Sequence, residues 1–189
     1  MLQYLPKAFG TALRATRPGL EKIAFNLSGL EAPTSIRLAS PAFADGGAIP
    51  APFAADGAGM SPPLEWSGVP AETSMLVLLV EDADSPTPRP LVHTIVFLPP
   101  GSRSLAANVL PGPAQAQRSH KMGRNSFFKT TYLPPDPPPG HGPHRYVFQL
   151  FAVDEIDVSS AAPGRSALLD AMRAHVVAKG CLTGTYERP

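Results

Sequence analysis

Four side chains in this sequence have the types and positions to do chemistry together: Asp82, Asp84, His93 and His144. Asp82 and Asp84 stand in Glu81-Asp82-Ala83-Asp84-Ser85-Pro86, directly after the apolar run 74–80. Side chains alternate along a strand, so carboxylates two residues apart share a face where that strand enters its loop. Two aspartates before a proline also make a common turn device, because Asp bonds its own backbone; spacing alone favours that plainer use. His93 opens the apolar run 92–98, and His144 precedes another at 146–153. One histidine at a strand start is ordinarily a half-buried structural residue. Three strand ends that each carry a titratable group point instead to one small shared pocket.

The elements that must position these residues are short and β-rich. Extended segments alternate with Pro/Gly loops through 36–39, 64–66, 74–80, 92–98 and 146–153. The last three are nearly continuous runs of branched and aromatic residues, as in central strands covered on both faces. The stretch 101–142 is proline-rich and aperiodic, and a loop of that length inside a domain tends to be functional; it is expected to wall the site. Towards the C-terminus one helix is expected from an N-cap at Ser166, burying Leu168, Leu169, Met172 and Val176 and stopped by Gly180. A short closing strand is expected over 182–187. Residues 1–30 repeat Phe9, Leu13, Thr16, Leu20, Ile23, Leu27 and Leu30 on one helical face, with Pro18-Gly19 breaking the pattern into two helices.

Bulk properties bound the function. The chain has 189 residues, fits one soluble domain with an appendage, and is 43% hydrophobic. Its 24 prolines and 16 glycines argue against a long helical bundle. A formal charge of +1 argues against a nucleic-acid surface. Cys181 is the single cysteine, so no intrachain disulfide forms, which agrees with a reducing, cytoplasmic setting. No apolar run approaches the roughly 18 residues of a membrane span, and the N-terminus lacks the order of a signal peptide. The residue spacing includes no HExxH, H-x-H or paired cysteines for a metal and no G-x-S-x-G elbow. It has neither a Walker loop nor a G-x-G-x-x-G turn, so no metal and no cofactor are expected.

Two segments are specific enough to name a family. Asp82-Ala83-Asp84-Ser85-Pro86 closely resembles the D-P-D-A-P signature of the phosphatidylethanolamine-binding protein (PEBP) family. Pro137-Pro138-Pro139-Gly140-His141-Gly142-Pro143-His144-Arg145-Tyr146 resembles its second signature, P-P-x-G-x-G-x-H-R-Y. His93 matches the histidine between them. Ser61-Pro62-Pro63-Leu64-Glu65-Trp66 with Val69-Pro70 fits the bacterial, Raf kinase inhibitor-like branch. The resemblance covers about residues 35–187. It implies an antiparallel Greek-key β-fold with a few peripheral helices over 34–189, and leaves 1–33 as a helical N-terminal extension. It also implies a pocket for phosphate-like anions, including phospholipid head groups, lined by Asp82, His93, His144 and Tyr146 and walled by Asp84, Pro137 and Pro138. The sequence departs from the family pattern at Asp136 and Phe128, where many members have glycine, and at Leu91-Val92, which replaces an aromatic. The implied role is a binding protein with a regulatory reach towards a protein partner. An acid–base enzyme using Asp82 with His93 or His144, and an interaction protein dimerising through 1–30, are the alternatives left open.

Overall fold

Three of the apolar runs form the centre of the structure, a computed structural model describing residues 6–112, 120–157 and 162–188. The expectations for residues 1–5 and 113–119 lie outside the described residues. Strands β1 (Arg37–Ala39) and β2 (Leu64–Ser67) precede the two long strands β3 (Met75–Asp82) and β4 (Leu91–Leu98). Two short strands, β5 (Ser104–Leu105) and β6 (Lys121–Met122), fall in the proline-rich stretch. They are followed by β7 (His144–Val153), the helix α2 (Arg165–Met172) and β8 (Val176–Tyr186).

The strands make two antiparallel sheets, one ordered β1-β2-β5 and the other β6-β4-β3-β7-β8. In the larger sheet β7 returns by a long connection to lie beside β3, outside the β3-β4-β6 series. That spatial order is a Greek key. The continuous apolar runs are explained by burial on both faces. Leu76, Leu78 and Val80 of β3 face the small sheet, where Leu38, Leu64 and Trp66 complete one core. Val77 and Leu79 face the other way, onto Leu168, Leu169 and Met172 of α2 and onto Ala24 and Leu30.

Two helical expectations are corrected. The C-terminal helix has Gly164, not Ser166, at its N-cap position and ends at Met172. Val176 and Gly180 belong to β8, which is therefore much longer than the short closing strand expected. Gly180 is there for a close approach: a Cβ would run into the Ile36 carbonyl, because residues 33–36 bond along the edge of β8. At the N-terminus only the first helix forms, as α1 (Lys7–Ala12). The second breaks into two 3-10 turns at Leu20–Lys22 and Ala24–Asn26. The reason is competition for backbone donors: Ala24 N–H donates to the Glu81 carboxylate (2.7 Å) and Phe25 N–H to Gln149 Oε1 (2.6 Å). Those two donors are thus satisfied by the sheet rather than by a continuing helix. Lys179 Nζ completes the attachment through the carbonyls of Phe25 and Leu30.

Candidate functional site

Antiparallel pairing brings the C-terminal end of β3 against the N-terminal ends of β4 and β7. Asp82 lies opposite Tyr146 in the β3–β7 register, and His144 lies two residues before it on the same face. His93 arrives by a different route. Val80 pairs with Thr94 and Glu81 with Val92, so His93 is the extra residue of a bulge. A bulge re-aims a side chain, and here the His93 ring meets the edge of the Tyr146 ring at 5.1 Å between centroids. The His144 ring stacks near Tyr146, at 6.3 Å between centroids. Asp82, His93, His144 and Tyr146, expected together from the sequence, are therefore neighbours, and all four are buried.

Asp82 does two jobs. One oxygen accepts the Asp84 N–H at 2.8 Å, which is the turn device, and the other meets His144 Nδ1 at 2.8 Å. From His144 the chain of bonds continues: Nε2 faces His141 Nδ1 at 2.7 Å, and His141 Nε2 faces the Leu13 carbonyl at 2.9 Å. Proton counting fixes much of this array. The Leu13 carbonyl only accepts, so His141 carries its proton on Nε2. Burial, His144 and Arg17 all favour neutral His141 over its cation, so Nδ1 is a lone pair and the proton between the rings sits on His144 Nε2. Both Asp82 oxygens are engaged within the fold, one by the Asp84 N–H and the other by His144.

Asp84 points elsewhere. Its carboxylate takes two bonds from the Arg145 guanidinium (2.7 Å each) and one from the Arg145 N–H (2.9 Å), with Arg17 Nη1 at 3.2 Å. Burial alone would raise this carboxyl, but the Arg145 and Arg17 donors hold it at about 2. It pins the start of β7, the position from which His144 and Tyr146 project. Pro137 and Pro138 are buried in the loop beside the site, their carbonyls accepting from Arg188 Nη1 (2.6 Å) and the His141 N–H (3.2 Å). The charge of Asp136 at this rim is met by the same Arg188 at 2.9 Å.

His141 and Arg17 were not among the candidate residues read from the sequence. His141 stands inside the second signature and could have been singled out there. Arg17 had no local signal, because its partners lie more than sixty positions away in the chain. Arg17 donates to the carbonyls of His141 and Pro143, both at 2.7 Å, as well as pairing with Asp84. Gly10 allows α1 to rest on the signature loop, where a Cβ would collide with the Pro139 carbonyl. The N-terminal segment thus closes one side of the site.

Two polar atoms of the site have no hydrogen-bond partner: His93 Nε2 and the Tyr146 hydroxyl. His93 Nδ1 bonds the Leu133 carbonyl at 2.8 Å, so in the neutral ring Nε2 is a free lone pair. Burial pushes His93 below its ordinary range, against the pull of Asp82 and Leu133, which keeps that lone pair available. Burial pushes the Tyr146 phenol well above its ordinary range, helped by Asp82 and Asp136, so it remains a donor. Among the described residues no group of three or more His, Cys, Asp or Glu is arranged to hold a metal ion. None of the described helices is long and apolar enough to cross a membrane.

Fold and site together define an antiparallel Greek-key domain with an Asp/His/Tyr cluster at one end of its central strands. The model of the phosphatidylethanolamine-binding protein family matches residues 39–187, and the chain belongs to that family. A UPF0098 protein of Methanothermobacter thermautotrophicus is 36% identical over 154 residues, covering 81% of this chain and 99% of the relative. The crystal structure of the PEBP homolog CT736 from Chlamydia trachomatis superposes with a TM-score of 0.73 at 36% identity, over 82% of this chain and 99% of that one. E. coli YbcL, described as a member of the mammalian PEBP family, superposes at 0.71 with 25% identity, over 82% of this chain and all of its own. The segment that carries Leu13 and Arg17 lies outside the family match.

Proposed function

We propose that this chain is a binding protein for a phosphate monoester, exemplified by phosphorylethanolamine, the head-group unit of ethanolamine phospholipids. The ligand is held by His93, Tyr146 and Asp82, with His144 and His141 behind them and Asp84, Pro137 and Pro138 as wall. In this reading residues 34–189 form the binding domain, and 1–33 are an extension that closes it.

The observation that carries the proposal is the pair of unpartnered buried atoms, His93 Nε2 and Tyr146 Oη. Buried polar groups without partners are rare and cost about 1–3 kcal/mol each. A ligand that accepts from Tyr146 and donates to His93 relieves both. A monoprotonated phosphate does so with one P–O and one P–OH, and an ethanolamine ammonium adds a donor for the Asp82 side. The acid–base enzyme alternative has less support, because both ring nitrogens of His144 are already engaged. Only His93 Nε2 is free for a substrate.

Calorimetric titration of inorganic phosphate and of phosphorylethanolamine tests the assignment. Because His93 accepts the ligand's proton, phosphorylethanolamine binding should weaken as pH rises above about 6, where the monoester loses its second proton. Inorganic phosphate, whose dianion keeps one P–OH, should lose less. Binding that is unchanged in His93→Ala would remove His93 from the site.

A further inference from the structure

The turn after β6 carries two aromatic rings that the fold does not use. Phe127 and Phe128 are 53% and 80% exposed. Phe128 also holds φ at 59°, in the left-handed region where a bulky side chain is strained. That strain is not compensated by packing, since the ring is in solvent.

The turn is nonetheless rigidly built. Asn125 Oδ1 accepts the N–H groups of Phe127 (2.9 Å) and Lys129 (3.1 Å), and Asn125 Nδ2 donates to the Thr131 carbonyl (3.0 Å). The Phe128 N–H closes the turn on the Asn125 carbonyl at 2.9 Å. Two bonds tie it to β4: Ser126 N–H to the Val92 carbonyl (3.1 Å) and Val92 N–H to Ser126 Oγ (2.8 Å). The exposed rings are therefore held beside His93, at the end of the molecule that carries the site.

Charge along the chain on either side of this turn is one-sided. Residues 85–135 contain no Asp or Glu but six Lys or Arg. Arg124 and Lys129 flank the rings, both exposed, and neither is ion-paired among the described residues. Two rings offer roughly 150–250 Å² each, well short of the roughly 800 Å² per partner of a stable protein interface. Aromatics flanked by cations suit instead the interfacial layer of an anionic bilayer.

We propose that the 125–129 turn docks the protein peripherally on an anionic lipid surface. Phe127 and Phe128 enter the interfacial layer while Arg124 and Lys129 meet lipid phosphates. This goes beyond the head-group reading and stands or falls separately from it.

The test is co-sedimentation of the full chain with phosphatidylglycerol/phosphatidylcholine vesicles that contain no ethanolamine lipid. It is run with and without excess inorganic phosphate at matched ionic strength. The parent should bind, with or without phosphate, and release several-fold as salt is raised. Phe128→Gly should lower partitioning about tenfold or more, as should Phe127→Ser. Phe128→Gly should also melt no lower than the parent, because glycine takes this φ freely; that separates lost docking from lost folding. No binding by the parent at low salt, or unchanged binding in Phe128→Gly, overturns the proposal. So does a parent dimer in solution that the Phe128→Gly change dissolves, which would assign the rings to self-association.

Discussion

Replacing Asp84 by asparagine should loosen the whole end of the sheet that carries the site. The Asp84 carboxyl sits at about 2 against an ordinary 3.8, a difference of about 1.8. At about 1.4 kcal/mol for each tenfold change in proton affinity, the fold favours the ionised form by roughly 2 kcal/mol. The Arg145 side chain is 38% exposed, so screening brings this to about 1–2 kcal/mol. An amide offers one acceptor oxygen where the carboxylate offers two, which leaves a donor of Arg145 or Arg17 poorly matched and adds about 1 kcal/mol. The expected loss is about 2–3 kcal/mol in urea unfolding at pH 7. Its pH dependence is the sharper test. A depressed carboxyl contributes stability in full above its unfolded value and loses it as pH falls through about 2. The gap between parent and variant should therefore shrink as pH falls below 3.8 towards 2. A gap under about 0.5 kcal/mol at pH 7, or one that stays constant into acid, would exclude the Asp84–Arg145 pairing as the source of that stability.

Other outcomes follow from the same contacts. His93 and His141 are both shifted below the ordinary histidine value of 6.5, so the unfolded chain takes up protons there before the folded one does. Stability should be level above about pH 7 and decline as pH falls from about 6.5 towards 5; a melting temperature that holds or rises across that window contradicts the assignment. Glu81 is buried and accepts from Ala24, Gln149 and Arg165. Glu81→Gln should cost about 2–4 kcal/mol and speed hydrogen exchange at Ala24 and Phe25 first. Arg17→Ala removes the tie from the N-terminal segment to Asp84, His141 and Pro143. It should speed ligand association in stopped flow more than it changes the dissociation rate, with an unchanged association rate counting against a closing role for the segment.

What the sequence made legible was whatever local pattern determines. The runs at β3, β4 and β7 could be read within one or two residues because they are buried on both faces, which leaves an uninterrupted apolar signature. Asp82 and His144 were read together as titratable residues at strand ends and Tyr146 through the family signature; the β3–β7 register accounts for their meeting. His93 was harder: only a bulge turns it onto that face, and nothing in Val92-His93-Thr94 announces one. The N-terminal periodicity was real, yet Glu81 and Gln149, far along the chain, took up the backbone donors and broke the second helix. Val176 and Gly180 had helical spacing, but pairing with Val153 and Leu150 of β7 claimed them for β8. Arg17 and the Leu13 carbonyl entered the site only through contacts more than sixty positions distant. Local patterns carry no trace of such partners.

The proposed phosphate ligand fills the place where Tyr146 Oη and His93 Nε2 are left unpartnered. Tyr146→Phe tests it with one atom, because the hydroxyl donates to no partner in the fold. Titration calorimetry with phosphorylethanolamine should show binding by the parent and a loss of about tenfold or more in Tyr146→Phe, as for one hydrogen bond to a charged group. The variant's melting temperature should be unchanged or higher. Equal affinity in parent and variant, or no binding by the parent, would exclude Tyr146 and His93 as a phosphate site.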